Sequence, residues 1–259
     1  MSKLRVLDLF SGIGGFSLGL ERTGGFETVA FCEIEQYPRK VLAKHWPEVP
    51  IYDDVRELTA ERLAIDGIGV DVITGGFPCQ DISVAGKQAG IGEGTRSGLW
   101  SEVARLIGEL RPRYAIMENV TALISGDSGQ WFGRVLGDLA EIGYDCEWHC
   151  IPASELGAHH HRDRVWIIAC PQNVADTNSE RLQGLLTPGA LQKWRETVGH
   201  SGQGGEPPGW SWATEPNICR VANGIPHRSH RLKGLGNSVC PPVVELIGRA
   251  ILDSERAAG

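Results

Sequence analysis

Several features that would assign the chain to a particular class of protein are absent from its 259 residues. No run of 18 consecutive apolar residues occurs, which argues against a membrane-spanning helix. The first residues, MSKLRVLDLFSGIGG, lack an apolar core followed by a small-residue cleavage site, so we expect a cytoplasmic protein. Hydrophobic residues at 41% and charged residues at 22% exclude a disordered, collagen-like or coiled-coil chain.

The cysteines provide no disulfide or metal framework. There are seven of them, and an odd number scattered through the chain indicates reduced thiols. Cys146 and Cys150, with His149 between them, have no matched second pair of ligands, so we expect no metal site.

Positive charge is scarce overall but locally concentrated. The net charge of −7 argues against a protein that simply coats nucleic acid. The stretch from Asn217 to Val244 nevertheless contains no acidic residue. Charge alone favours a solvated surface here, and the alternative is a surface that contacts phosphates. The basic residues of this stretch are Arg220, Arg228, Arg231 and Lys233.

Short apolar runs alternate with helical patterns over the first 170 residues. This alternation predicts an α/β fold with a mostly parallel sheet and helices on both faces. Ligands of such folds bind at the carboxyl ends of the strands. The predicted strands are Leu4–Phe10, Thr28–Cys32, Val70–Thr74, Tyr114–Glu118, Tyr144–Cys150 and Val165–Cys170, and the predicted helices are Phe16–Arg22, Pro38–His45, Trp100–Leu110 and Trp131–Ile142.

The pattern changes after Cys170. From Pro171 to about Arg231 the chain is rich in Gly, Pro and polar residues and lacks strand–helix alternation, which indicates a separate, loop-dominated segment. The following stretch, Pro241–Ser254, is amphipathic, and we expect it to pack back onto the first part of the chain.

A glycine-rich turn follows the first predicted strand. Gly12, Gly14 and Gly15 allow a tight turn and a close approach of a ligand to the backbone. Glu33 ends the second strand, 21 residues after Gly12, where an acid can hold the ribose hydroxyls of a nucleotide cofactor. These features together predict a nucleoside-containing cofactor, without separating a nicotinamide cofactor from S-adenosylmethionine.

Two further polar residues follow strand ends. Cys79 comes after the strand-like VDVITGG and a rigid Pro78, which favours a nucleophile over a buried inert thiol. Glu118 ends the next strand, and the same edge of the sheet therefore holds both groups. The Glu118 carboxylate serves either to cap a neighbouring group or, in a pocket that excludes water, to share a proton.

Five short motifs occur in the order FSGIGG, GGFPCQ, ENV, HHHRDRVWIIA and LGNSVCPP, between Asp8 and Pro242. In this order they resemble the motifs of DNA (cytosine-C5) methyltransferases, of the short bacterial and phage type. The resemblance implies a Rossmann-like S-adenosyl-L-methionine-dependent sheet, formed by residues 1–170 and 234–259, and a small target recognition segment at 171–233. It also implies double-stranded DNA as substrate and suggests a companion restriction endonuclease, while the oligomeric state stays open.

The resemblance also assigns chemical roles. Cys79 corresponds to the nucleophile that adds to C6 of a cytosine rotated out of the duplex. Glu118 corresponds to the acid that hydrogen-bonds N3 and the amino group of the base, and the addition makes C5 nucleophilic. Arg162 and Arg164 keep the arginine pattern of the family, which implies phosphate or base contacts. His160 stands where the family usually has Gln.

The cofactor residues are carried over in the same way, and they come from several parts of the chain. They are Phe10, Gly12 and Gly14 on the methionine and adenosine side, Glu33 at the ribose, Ile34 on one adenine face, Asp54 and Val55 at the adenine edge, Pro78 beside the crevice, and Asn237, Ser238 and Val239 closing it.

Three other interpretations stay open. A tRNA cytosine-C5 methyltransferase would share the PCQ and ENV chemistry, and a catalytically silent DNA-binding protein would not need Cys79 and Glu118. A nicotinamide-dependent dehydrogenase would explain Gly12 and Glu33 but not PCQ.

The stretch Ser83–Gly98, with five glycines in sixteen residues, suits a loop that closes over the flipped base.

Overall fold

The computed structural model describes residues 2–78, 98–156, 158, 162–172 and 234–258. Its strands are β1 (Leu4–Leu9), β2 (Phe26–Cys32), β3 (Ile51–Tyr52), β4 (Val72–Gly76), β5 (Tyr114–Val120), β6 (Tyr144–Pro152) and β7 (Asp163–Pro171). They form one sheet in the order β3-β2-β1-β4-β5-β7-β6. β7 is antiparallel to both of its neighbours, and the other described strands share one direction. The prediction of a mostly parallel sheet is confirmed.

Helices cover both faces of this sheet. One face carries a core shared by α1 and the C-terminal helix α7, and the other carries a core built with α3, α4 and α6. Within the described residues, no helix combines the length and the apolar character needed to cross a bilayer. The helices are α1 (Gly15–Glu21), α2 (Gln36–His45), α3 (Ala60–Ile65), α4 (Leu99–Leu110), α5 (Ala122–Ser125), α6 (Gln130–Glu141) and α7 (Pro241–Ala258), with 3₁₀ turns at Gly126–Gly129 and Ala153–Leu156.

Sequence patterns missed the shortest elements. The strand β3 has two residues and α3 has six, so neither is long enough to show a period. Local hydrogen bonds define α3 instead, because the Thr59 side chain accepts from the Arg62 N–H at its start.

The fourth strand lies two residues further along the chain than predicted. The prediction of Val70–Thr74 stopped before Gly75 and Gly76, because glycine usually weakens a strand. In the structure both glycines are paired within β4, opposite Met117 and Glu118 of β5. A Cβ on Gly76 would lie 3.1 Å from the Glu118 carboxylate, so the missing side chain leaves room for that group.

The C-terminal helix packs against α1 as predicted, and glycines allow a very close approach. A Cβ placed on Gly19 would lie 2.6 Å from both the Pro241 carbonyl oxygen and the Val244 Cβ. A Cβ on Gly248, from the opposite helix, would lie 2.9 Å from Leu20. These contacts fix the position of residues 241–258 on the first strand–helix unit, although more than 200 residues separate the two in sequence.

Gly19→Ala should therefore destabilise the protein. The new methyl group overlaps backbone and Cβ atoms that cannot rotate away, and we expect a loss of about 1–3 kcal/mol. Gly133→Ala is the matched control, because Gly133 lies in α6 with no atom within 4 Å of its hypothetical Cβ. That variant should gain about 0.5–1 kcal/mol from helix propensity. Urea unfolding of both variants measures the contrast, and equal effects would contradict the close packing of α1 and α7.

Candidate active site

A glycine-rich turn connects β1 to α1 at the carboxyl edge of the sheet. Gly12 and Gly14 have φ values of +54° and +85°, a backbone region that glycine occupies without steric cost. Phe10 also has a positive φ of +50°, which is unusual for a residue with a bulky side chain. The turn is closed by a hydrogen bond of 2.9 Å from the Gly14 N–H to the Ser11 carbonyl. The turn lies at the edge of the sheet where ligands of such folds bind.

The Glu33 carboxylate lies directly against this turn. One of its oxygens accepts from the Gly12 N–H at 2.8 Å, and the other accepts from the Glu35 N–H at 2.7 Å. The side chain is buried, and burial raises the pKa of this carboxyl, while the two backbone hydrogen bonds oppose the rise. Each carboxylate oxygen has a second lone pair, so the group can still accept two hydroxyl donors from a ligand. Gly12 and Glu33, which the sequence prediction assigned to one cofactor site, are thus in direct contact.

The residues expected at an adenine ring lie beyond Glu33. Ile34 is 64% exposed, which is unusual for such a large apolar side chain and leaves one of its faces open. Val55 is buried, whereas Asp54 forms an ion pair with Arg56 that lowers the pKa of the Asp54 carboxyl. Asp54 is thus already occupied by a guanidinium, which the sequence did not predict.

The C-terminal segment that precedes α7 lies against the same turn. A Cβ on Gly15 would lie 2.8 Å from the Ser238 Oγ and 2.8 Å from a methyl group of Val239. Asn237 is exposed on this segment. The structure therefore brings Ser238 and Val239 to the glycine-rich turn, and their closure of a cofactor site stays a prediction.

The chain leaves β4 through Phe77 and Pro78, towards the predicted nucleophile. Cys79 itself lies outside the described residues, as do the stretch 79–97, His160 and the segment 173–233. The path is held on both sides of this gap, because the rings of Phe77 and Trp100 are 5.0 Å apart. The Trp100 indole N–H also donates to Asp138 at 2.8 Å. Pro78, the residue before Cys79 in the sequence, therefore lies just beyond the carboxyl end of β4.

The Glu118 carboxylate forms an ion pair with Arg164 from the neighbouring strand β7. The Arg164 Nε lies 2.8 Å from a Glu118 oxygen, and both side chains are largely buried. Burial raises the pKa of Glu118, and the charges of Arg164 and Arg162 oppose that rise. A buried carboxylate with one guanidinium partner can exchange a proton with a ligand more readily than an exposed one.

Arg162 has different partners from those that the sequence suggested. Its Nη1 donates to the Gly236 carbonyl at 2.8 Å, and its Nη2 donates to the Ser238 carbonyl at 2.6 Å. Its backbone has a φ of +39°. Burial and the neighbouring Arg164 lower the pKa of the Arg162 guanidinium. The phosphate or base contact expected for Arg162 stays a prediction.

Two residues that the sequence analysis did not assign hold the site together. Asn119 donates to the Phe77 carbonyl at 3.2 Å and so ties the end of β5 to the path that leads to Cys79. Asp8 is fully buried, and its carboxylate accepts from the hydroxyls of Ser17 at 2.9 Å and Thr74 at 2.8 Å. A polar residue within the apolar run LRVLDLF was the signal for Asp8, because buried charges need partners.

The other cysteines near the site are poor nucleophiles. Cys32 ends β2 beside Glu33, and burial raises the pKa of its thiol to about 12. Burial likewise raises the pKa of Cys240 to about 11 and that of Cys146 to about 12. A thiol must lose its proton before it attacks a carbon atom. In the described part of the chain, no three His, Cys, Asp or Glu residues form a group that could hold a metal ion.

Comparison with known proteins places this arrangement in a family. Residues 4–196 match the model of the C-5 cytosine-specific DNA methylase family. The chain belongs to this family. It is 35% identical over 175 residues to the type II methyltransferase M.HgiBI of Herpetosiphon aurantiacus, a match that covers 67% of this chain and 39% of that protein.

Two further similar proteins are informative. The orphan methyltransferase M.Rho11sI of Bacillus phage rho11s is 33% identical over 181 residues, which covers 69% of this chain and 35% of that protein. An E. coli prophage protein described as a DNA modification methyltransferase superimposes with a TM-score of 0.55 at 30% identity, covering 65% of this chain and 47% of that one. The Rossmann-like methyltransferase fold is confirmed. The matches span less than half the length of these three proteins.

Protonation of Asp8 should control the pH dependence of stability in this protein. Burial raises the pKa of Asp8 to about 7 in the folded protein, from its ordinary value in the unfolded chain. The folded state then binds the proton more tightly, so stability falls as the pH rises from about 4 towards 7, by up to about 1.4 kcal/mol per pH unit from this group. Asp8→Asn should remove that part of the slope, because an amide does not ionise.

Urea unfolding between pH 5 and 8 measures this difference between wild type and variant. Asp71→Asn is the control, because the hydrogen bonds from Arg5 lower the pKa of Asp71 and keep it ionised throughout this range. The control should keep the slope of the wild type. An Asp8→Asn variant with that same slope would show that Asp8 does not titrate in this interval.

Proposed function

We propose that the chain transfers a methyl group from S-adenosyl-L-methionine to C5 of a cytosine in double-stranded DNA, through a covalent bond between Cys79 and C6. The observation that carries the proposal is the buried Glu118–Arg164 pair. It lies one strand away from the Phe77–Pro78 path and on the same edge of the sheet as the Glu33 turn. Membership of the C-5 cytosine-specific DNA methylase family supports the same chemistry.

The residues at the glycine-rich turn fit an adenosine-containing cofactor. The buried Glu33 carboxylate has lone pairs left for two ribose hydroxyls, and the exposed Ile34 offers an apolar face for a purine ring. Residues 237–239 close the crevice from the other side, against Gly15. When bound, S-adenosyl-L-methionine supplies an electrophilic methyl group. We propose that six further residues line the cofactor site. They are Phe10, Gly12, Gly14, Asp54, Val55 and Pro78.

The base site needs a nucleophile and a proton-sharing acid. An aromatic C5 carbon is a poor nucleophile, and addition of the Cys79 thiolate to C6 converts the ring into an enamine that reacts at C5. Glu118, with its raised pKa, shares a proton with N3 and stabilises the ring as the S–C6 bond forms. Loss of the C5 proton then expels the Cys79 thiolate and restores the aromatic ring.

The local structure supports Arg164 as the group that keeps Glu118 in place. Its guanidinium holds one carboxylate oxygen at 2.8 Å, which leaves the other oxygen for the base. A Cβ at Gly76 would lie 3.1 Å from that other oxygen, and the glycine keeps this side of the carboxylate accessible.

The choice of DNA over RNA rests on the relatives and on the charge pattern. The curated relatives named above are called type II or orphan methyltransferases, and the prophage protein is described as a DNA modification enzyme. We propose that residues 171–233 recognise the target sequence, on a catalytic part formed by residues 1–170 and 234–259. Arg220, Arg228, Arg231 and Lys233 then contact phosphates. A companion restriction endonuclease and a cytoplasmic location stay predictions.

Glu33→Gln should weaken cofactor binding. The amide keeps one oxygen acceptor but loses the negative charge, so a charge-assisted hydrogen bond worth about 1.5–3 kcal/mol is lost. Calorimetric titration with S-adenosyl-L-methionine measures the change. Glu27→Gln, an exposed position at the far end of the same strand, is the control and should bind as the wild type does. Unchanged affinity in a folded Glu33→Gln variant would remove Glu33 from the site.

A cytosine that carries fluorine at C5 should trap the enzyme on its substrate. Fluorine cannot leave as a cation, so the reaction stops after methyl transfer, and a denaturant-resistant complex accumulates only when S-adenosyl-L-methionine is present. Cys79→Ala should abolish the complex, whereas Cys150→Ala, an exposed thiol on β6, should leave it unchanged. Glu118→Gln should slow trapping strongly while cofactor affinity stays nearly intact.

Duplex DNA and tRNA with the same fluorinated base separate the two substrate classes. Trapping on duplex DNA supports the proposal, and trapping on tRNA alone would keep the chemistry but overturn the substrate. A complex that survives loss of Cys79 would overturn the covalent mechanism.

A further inference from the structure

Arg162 connects the two halves of the proposed site. It directly precedes β7, two residues before Arg164. Arg164 binds the Glu118 carboxylate, whereas Arg162 binds two backbone carbonyls of the segment that precedes α7. The short stretch 162–164 therefore binds both Glu118, the acid proposed to contact the base, and the segment 236–238, proposed to close the cofactor site.

The hydrogen bonds of Arg162 compete with a phosphate contact. Nη1 and Nη2 each donate to a carbonyl, at 2.8 and 2.6 Å. The Nε is buried and has no partner among the described residues, so a bidentate contact through Nε and Nη2 is closed to a ligand on the surface. Because both of its terminal nitrogens donate to carbonyls, the Arg162 guanidinium binds the protein backbone and not a ligand.

The contacts continue from Arg162 to the cofactor side of the crevice. Ser238 and Val239, immediately beyond the bound carbonyls, lie where a Cβ on Gly15 would meet them at 2.8 Å. Gly234, at the start of the same segment, would place a Cβ 3.3 Å from Ile13. The segment is therefore held between the Arg162 guanidinium on one side and the glycine-rich turn on the other.

The backbone of Arg162 supports a specific positioning role. A φ of +39° lies in the left-handed region, which costs a residue with a side chain about 1 kcal/mol or more. The two charge-assisted hydrogen bonds to the carbonyls offset this strain.

We propose that Arg162 is a positioning residue that holds residues 236–238 against the glycine-rich turn, so that cofactor binding depends on it and phosphate contact does not. The inference rests on the proposed function, because the ligand of the turn is taken to be S-adenosyl-L-methionine. It assigns different roles to the two arginines: Arg164 acts on the base-side acid, and Arg162 acts on the cofactor-closing segment.

The test compares Arg162→Met, Arg162→Lys and, as the matched control, Arg164→Met. Loss of two charge-assisted hydrogen bonds should weaken S-adenosyl-L-methionine binding in Arg162→Met by about 10- to 100-fold. Arg162→Lys keeps one donor and the charge and should recover part of that loss. Arg164→Met should bind the cofactor nearly as well as the wild type but form the trapped complex slowly even at saturating cofactor. At saturating cofactor, Arg162→Met should trap faster than Arg164→Met, because only Arg164 holds the Glu118 carboxylate directly, at 2.8 Å.

The salt dependence of duplex DNA binding separates positioning from phosphate contact. With cofactor saturating, the slope of log affinity against log salt should be the same in Arg162→Met and wild type. A slope smaller by about one unit, together with unchanged cofactor affinity, would show a phosphate contact and overturn the proposal. Unchanged behaviour in both measurements would also overturn it.

Hydrogen–deuterium exchange without any ligand keeps the inference separate from the proposed function. The amides of residues 236–240 should exchange faster in Arg162→Met and Arg162→Lys than in wild type, and Arg164→Met should leave them unchanged. If the Arg162 variants exchange faster but the wild type does not bind S-adenosyl-L-methionine, the positioning role of Arg162 is supported and the proposed cofactor is overturned. Equal exchange in all proteins would overturn the positioning role itself.

Discussion

The ion pair between Glu118 and Arg164 depends on β7 running against β5. In a parallel pair, the first residues of β7 would lie at the opposite edge of the sheet from the end of β5. The antiparallel register instead pairs Val120 with Arg164 and Glu118 with Trp166. The beginning of one strand thereby meets the end of the other, and a cation reaches the buried carboxylate. A buried carboxylate without such a partner would be costly, so the reversed strand makes the acid tolerable at this edge.

The second constraint is the return of the C-terminal segment across the sheet. Ser238 and Val239 lie against Gly15 after β1, and α7 packs on α1 at Gly19, through contacts that only glycine permits. The crevice is thus formed by the first and the last described parts of the chain. A side chain at Gly15 would displace the segment whose carbonyls Arg162 binds.

Two buried polar residues, Asp8 and Asn119, connect the ends of neighbouring strands. Asp8 lies below the glycine-rich turn and joins β1 to α1 and β4 through the hydroxyls of Ser17 and Thr74. Asn119 joins β5 to the residues after β4. Each group sits at a strand end and bonds to a neighbouring element, so the strand ends are fixed relative to one another before any ligand binds. Such preorganisation is what a site needs if its charges are to act during a reaction.

The sequence by itself determined the alternating α/β pattern, the glycine-rich turn with Glu33, and the placement of Glu118 at a strand end. These follow from local periodicity and from spacing along one or two elements. Only the tertiary structure decided that Arg162 binds the carbonyls of Gly236 and Ser238, and that Gly75 and Gly76 belong to β4. The physical reason is that strand register and the approach of residues more than 70 positions apart leave no trace in local periodicity, because they depend on which surfaces meet when the sheet and the last helix pack together.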